Sequence, residues 1–297
     1  MPKTPAHNAP PWTPMALIRW TTGYFNDHGI DNARTDAEIL LAHALGQRRI
    51  DLYLNHDQPL CEDELKRFKT MIRRRVDREP VAYITGTREF WSLELSVTPA
   101  VLIPRPETEC LVEAVLPLLD NPCDAPVRVL DLGTGSGAIV IALAHEHDCH
   151  RYLAMDRSPE ALRLARHNAR RHGVDGCIDW FSGDWDAPLA PGRKRFDLIV
   201  SNPPYIRSPD MQTLQPEIRR FEPQAALDGS SDGLACLMRI LEFAHRYLAD
   251  GGTLALEMGY DQAADVQAAA KRIGHYTPVR IVRDYAGLDR VAIMKKS

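Results

Sequence analysis

From Val127 to Ile273 the chain alternates short apolar runs with stretches of helical periodicity, and this alternation restricts the fold more than any other feature of the sequence. Val127–Asp131, Tyr152–Asp156, Cys177–Phe181, Phe196–Ser201 and Thr253–Met258 read as strands; Gly137–Glu146, Ser158–His172, Gly233–Leu248 and Asp261–Ile273 read as helices. Strand and helix taken in turn give an α/β domain, a mostly parallel doubly wound sheet with helices on both faces. Val279–Tyr285 and Arg290–Lys295 lie too close together for a crossover helix, so they are expected to pair antiparallel.

The N-terminal third has a different period. Leu17, Trp20, Phe25, Ala37, Leu40, Leu41, Ala44 and Leu45 recur three and four residues apart, predicting helices from about Pro14 to Arg78. Within them Lys66, Arg67, Lys69, Arg73, Arg74, Arg75 and Arg78 interleave with Phe68, Met71, Ile72 and Val76, an amphipathic helix whose cationic side is expected to be solvated. Thr85–Pro99 alternates apolar and polar residues around Trp91-Ser92, the pattern of a β-hairpin. The expected organisation is a helical domain over 1–84, a hairpin linker over 85–100 and an α/β domain over 101–297.

A net charge of -4 over 297 residues argues against a generic polyanion binder, so direct nucleic-acid binding is not expected. No run of eighteen apolar residues occurs, and Met1–Pro14 lacks the apolar core of a signal peptide, so no membrane association is expected. Cys61, Cys110, Cys123, Cys149, Cys177 and Cys236 form no CxxC pair, which fits reduced thiols in a cytoplasmic protein. His145, His147, Cys149 and His150 crowd one stretch, but their spacing does not suit a helical ligand pair. A solvated helix end, and no metal, is expected there.

The glycine-rich run Asp131-Leu132-Gly133-Thr134-Gly135-Ser136-Gly137-Ala138 sits where the first strand of the sheet passes into a helix. Doubly wound folds bind ligands at such positions, where glycines admit a ligand close to free backbone N–H groups. The loop also satisfies a loose dinucleotide pattern, so by itself it leaves a nicotinamide cofactor open. Asp156 ends the next strand and suits a ribose diol. Asp131 either caps the loop or meets an ammonium group, and Trp185 either covers an adenine face or fills core.

Asn202-Pro203-Pro204-Tyr205 ends the Phe196–Ser201 strand, because two successive prolines cannot continue a ladder. The Asn202 amide oxygen and a main-chain carbonyl supply two acceptors aimed at one point, and the Tyr205 ring can stack on a planar group. Such a site suits a planar NH2.

With Gly86-Thr87-Arg88-Glu89-Phe90-Trp91, Leu102 to Glu109, Arg220-Phe221-Glu222-Pro223 and Arg283-Asp284-Tyr285, this set resembles the HemK-type peptide chain release factor N5-glutamine methyltransferases, of the class I S-adenosylmethionine-dependent type. The resemblance implies a helical N-terminal domain, a hairpin linker and a seven-stranded methyltransferase domain. It implies S-adenosylmethionine as cofactor, with S-adenosylhomocysteine as product and no metal. Class I release factors, methylated on the Gln of a Gly-Gly-Gln motif, are the implied partners. By the same resemblance Gly133, Thr134, Gly135, Ser136, Gly137, Asp156, Trp185 and Asn202 line the cofactor site. Asn202, Pro203, Pro204 and Tyr205 line the glutamine site, with Asn202, Pro203 and Tyr205 in the catalytic role. The alternatives are a ribosomal-protein glutamine methyltransferase and a nucleic-acid amino-methyltransferase, since the reacting group is again a planar NH2.

Overall fold

The computed structural model describes residues 12–120, 125–185 and 196–297. Most of the Met1–Pro14 segment, and Cys123, lie outside the described residues. In chain order the helices are α1 (Pro14–Asp27), α2 (Ala33–Leu45), α3 (Arg49–Leu54), α4 (Glu62–Val76), α5 (Val81–Thr85), α6 (Glu109–Val115), α7 (Ala138–Glu146), α8 (Pro159–Arg171), α9 (Pro216–Phe221), α10 (Ala235–Tyr247) and α11 (Ala263–Ile273). The strands are β1 (Thr87–Phe90), β2 (Leu93–Ser96), β3 (Arg128–Leu132), β4 (Arg151–Asp156), β5 (Ile178–Ser182), β6 (Phe196–Ser201), β7 (Leu248–Glu257), β8 (Arg280–Arg283) and β9 (Asp289–Lys295). The chain divides into two compact units: one takes in the chain up to Gly86 together with Pro216–Phe221, the other Thr87–Gln215 and Glu222–Ser297.

In the helical unit, Thr13 caps α1 through its hydroxyl, which accepts from Ala16 N at 3.4 Å ahead of a proline in the first turn. The α4 helix opens on Glu62, Asp63 and Glu64 and closes on Arg73, Arg74 and Arg75, matching the helix dipole at both ends. Leu17, Phe25, Leu40, Leu41, Phe68 and Ile72 form the core. The basic end of α4 departs from the solvated face expected for it. Arg75 is 7 % exposed; its Nε donates to Asp36 Oδ2 at 2.8 Å and its Nη1 to Glu217 Oε1 at 2.9 Å. Arg74 forks onto Glu79 with contacts of 2.6 and 2.7 Å. The amphipathic period identified the helix, but partners distant in sequence decided which cations leave water. Burial raises the Asp36 carboxyl above its usual range, with the Arg75 guanidinium opposing.

In the larger unit, β3 to β9 form one seven-stranded sheet in the order β5-β4-β3-β6-β7-β9-β8. Neighbours from β5 through β7 run parallel, while β9 pairs antiparallel with both β7 and β8. After β3 the chain builds outward on one side through β4 and β5, then returns to place β6 on the other side. The crevice this reversal creates at the carboxyl ends of β3 and β6 is the ligand position of a doubly wound sheet. Core lies on both faces of the sheet: Leu111, Val140, Leu143 and Tyr152 belong to one cluster and Leu132, Ile199, Leu241 and Met258 to the other.

The hairpin β1–β2 turns on Trp91 and Ser92, both left-handed (φ 53 and 58) without glycine. Contacts with α6 and α7 hold that turn in place. Trp91 N donates to Glu109 at 2.9 Å, Trp91 Nε1 to Glu146 at 2.7 Å, and Phe90, Leu93 and Leu95 enter the same core cluster as Leu111. The hairpin is thereby built into the larger unit. His150, expected at a solvated helix end, is 1 % exposed: Nδ1 accepts from Val127 N at 3.3 Å and Nε2 lies 2.7 Å from Leu119 O. Both nitrogens are used to close the chain around the start of β3.

Candidate active site

A cavity of about 890 Å³ opens over the carboxyl ends of β3 to β6. Its floor is the loop after β3. Gly133 and Gly135 have φ of 74 and 57, and a Cβ added to either would meet nothing within 4 Å. Main chain is therefore bare toward the cavity at both positions, as a closely approaching ligand requires. Gly137 has another task. At φ 85, a Cβ there would stand 2.7 Å from Ile141 Cδ1 and 3.2 Å from Ala165 Cβ, so this glycine lets α7 start close against α8.

Side chains brace the loop from below and behind. Asp131, wholly buried at the end of β3, accepts from Thr134 Oγ1 at 2.7 Å. Asn168 on α8, also wholly buried, donates from Nδ2 to Ser136 O at 2.9 Å and to Ser96 O at 3.0 Å, while its Oδ1 accepts from Ser96 N at 2.8 Å. Burial lifts the Asp131 carboxyl to about 7, against the Thr134 hydrogen bond and with the nearby Asp156 charge adding to the rise. Asp131 is absent from the cavity wall, so its visible work is to anchor the loop.

Asp156 does face the cavity. Its Oδ2 accepts from Gly135 N at 2.9 Å and its Oδ1 from Ser158 N at 2.8 Å, tying the glycine loop to the start of α8. Each carboxylate oxygen keeps a second lone pair for a ligand hydroxyl. Trp185, half-buried with φ 54, contributes to the wall and packs on the core beneath. Bare glycines, a carboxylate and an aromatic face on one wall fit an adenosine-bearing cofactor.

The opposite wall carries Asn202 and Pro204. Ser201, the last residue of β6, donates through Oγ to Leu132 O at 2.7 Å, fixing this loop beside the glycine loop. Asn202 Nδ2 donates to Thr108 Oγ1 at 3.1 Å, which leaves Oδ1 as the free end of the amide. Pro203 is buried, and Tyr205 packs on the core with its hydroxyl donating to Glu257 Oε1 at 3.1 Å. The structure therefore brings Gly133, Thr134, Gly135, Ser136, Asp156, Trp185, Asn202 and Pro204 to one cavity, and sets Gly137, Pro203 and Tyr205 behind it.

Sequence reasoning assigned no role to the residues that hold this wall. Thr108 is one. Glu222 is another, 5 % exposed, accepting from Ile103 N at 3.1 Å and pairing with Arg105, so that two separate motifs close on each other. Their signal lay in the Ile103-to-Glu109 and Arg220-to-Pro223 runs, but a run does not reveal its partner.

The chain matches the PrmC N-terminal domain over residues 16–86 and the methyltransferase small domain over 109–220. It is 44% identical over 280 residues to the release factor glutamine methyltransferase of Geobacter sulfurreducens, covering 94% of this chain and 95% of that one. The chain belongs to the release factor glutamine methyltransferase family. Within it, the Escherichia coli enzyme is 42% identical over 89% of this chain and 92% of its own, and the Rhodopirellula baltica enzyme 39% over 98% of each. The sheet has the methyltransferase fold, shared with the delta-N METTL16 MTase domain (TM-score 0.51, 17% identity, 70% of this chain and 91% of that one). A methyltransferase from Pyrococcus furiosus matches similarly (TM-score 0.50, 18% identity, 69% and 88%).

Proposed function

We propose that this chain transfers a methyl group from S-adenosylmethionine to the side-chain amide nitrogen of the Gln in the Gly-Gly-Gln motif of class I release factors. The observation that carries the reading is the adjacency, across one cavity, of the bare glycine loop after β3 and the Asn202 amide after β6. Gly133, Thr134, Gly135, Ser136, Asp156 and Trp185 would hold the cofactor, which supplies a sulfonium methyl as electrophile. The rest of the chemistry falls to the amide wall.

An amide nitrogen is a poor nucleophile because its lone pair is shared with the carbonyl. Asn202 Oδ1, left free by the Thr108 bond, can accept one of its hydrogens while a main-chain carbonyl of the same loop accepts the other. Two fixed acceptors orient the nitrogen and favour the positive charge that develops on it during attack. Orientation alone can supply about 7 to 11 kcal/mol. The amide proton leaves to solvent after the methyl has moved.

The helical unit, residues 1 to about 84, would read the release factor itself, since a Gly-Gly-Gln tripeptide has little surface for discrimination. Among the described residues no helix is long and apolar enough to cross a membrane, compatible with a partner met in the cytoplasm. Mass spectrometry of release factor incubated with the protein and S-adenosylmethionine tests the reading. A gain of one methylene on the Gly-Gly-Gln peptide is expected; methylation of ribosomal protein or nucleic acid with release factor untouched would overturn it.

A further inference from the structure

Glu257 closes β7 and is wholly buried. A carboxylate removed from water is costly unless it is put to use, and packing alone would be served by an apolar residue. Its Oε1 accepts from the Tyr205 hydroxyl at 3.1 Å. The other carboxylate oxygen, Oε2, is buried without a hydrogen-bond partner, and the Thr108 hydroxyl, which accepts from Asn202 Nδ2 at 3.1 Å, favours the ionised form. Glu257 thus holds the Tyr205 end of the Asn202–Tyr205 loop directly and keeps one acceptor oxygen unused.

The charged groups around it complete the arrangement. Arg290 on β9, 9 % exposed, stabilises the ionised form from one side and is itself held by Asp284 at 3.0 Å and by Met258 O at 3.3 Å. Glu107, next to Thr108, opposes ionisation from the other. Tyr205 is further fixed through its main-chain carbonyl, which accepts from Gln262 Nε2 at 3.1 Å.

We propose that Glu257 is a positioning residue for methyl transfer: while Oε1 holds Tyr205, the unpartnered Oε2 takes the Thr108 hydroxyl proton, and the two bonds set the turn of the Asn202 amide that presents Oδ1 to the substrate. The proposal rests on the amide-methylation reading above. An ionised carboxylate can accept from both hydroxyls, whereas a protonated one loses acceptor capacity. Burial raises this carboxyl to about 6, against the Thr108, Tyr205 and Arg290 contacts. Protonation as the pH falls through about 6 should therefore loosen the loop and slow transfer.

The test is steady-state methylation of intact release factor across pH 5.5 to 8 by wild type, Glu257→Gln, Thr108→Val and the double variant, with S-adenosylhomocysteine affinity measured alongside. Glu257→Gln is expected to lose about tenfold to a hundredfold in kcat, the scale of a hydrogen bond to a charged group, with ligand affinity kept. Its rate should no longer fall at the acid end. Thr108→Val should lose kcat in the same way, and the double variant should be no slower than the worse single, because both cut one chain of contacts. A Glu257→Gln enzyme with wild-type kcat and an unchanged acid limb overturns the proposal, as do losses that simply multiply. If Glu257→Gln does not fold, Thr108→Val decides alone: reduced kcat supports the proposal and a wild-type rate refutes it. Wild-type protein inactive on release factor would instead refute the underlying reading.

Discussion

On the glycine-loop side of the cavity the wall is largely main chain, with Gly133 and Gly135 bare and Asp156 hydrogen-bonded to the loop it borders. On the Asn202 side the wall is side chain: Asn202 and Thr108 line it, Tyr205 and Glu257 stand behind it, and the four come from three separate stretches of sequence. A backbone site is set by conformation, so a substitution there acts mainly by strain. A side-chain site is set by a relay of hydrogen bonds, so a substitution there acts on geometry while the fold survives. The contrast predicts that variants of the amide wall lose rate and keep stability, whereas variants of the loop lose both stability and cofactor.

The largest effect should come from Asn202→Ala, which on the proposed reading removes one of two acceptors for the substrate amide and should cost about 2.7 to 4 kcal/mol in the chemical step. Cofactor affinity and melting temperature should hold. A single-turnover assay beside a thermal melt checks this, and equal losses in both would erase the contrast. Next comes Gly137→Ala, where a left-handed φ of 85 and the approach to Ile141 and Ala165 should destabilise the apo protein by about 1 to 3 kcal/mol. Chemical denaturation measures it. Asp156→Ala should follow at about 1 to 2 kcal/mol, since it frees Gly135 N and Ser158 N, and should weaken S-adenosylmethionine binding as well. Weaker binding in calorimetry with an unaltered melt would show that Asp156 serves the ligand alone.

A separate prediction is a pH dependence. In the folded protein the Asp131 carboxyl is raised from its ordinary 3.8 to about 7, so the folded state holds a proton that the unfolded chain releases. Stability should therefore fall as pH rises through that window, the reverse of an ion-paired aspartate. Asp131→Asn should flatten this part of the melting-temperature profile relative to wild type, and parallel profiles would show that the carboxyl is not protonated in the fold.

The same contrast explains what the residues revealed before folding. The glycine loop and the Asn202–Tyr205 turn are contiguous, and each states its geometry through glycine or proline, so both were legible along with the alternating strands and helices. Thr108 stands 94 residues before Asn202, and Glu257 stands 52 after Tyr205. A threonine between two glutamates and a glutamate ending a strand carry no local sign of such partners. Arg75 misled for the same reason. Its helix was plain, but nothing near it in the chain announces Asp36 or Glu217. The Trp91-Ser92 turn was legible as a hairpin although it lacks the usual glycine, because the alternation around it was strong enough.

Arg75 also bears on the order in which this molecule can be made. Asp36 precedes it by 39 residues and leaves the ribosome first, but Glu217 follows by 142, after β1 through β6 have been synthesised. Until then Arg75 in the nascent helical bundle has only one of its two carboxylate partners. Domains made early in synthesis commonly fold before the rest of the chain appears. Here the first unit to emerge is among the last to be completed, and a fragment cut at Gly86 would hold that unfinished state for good.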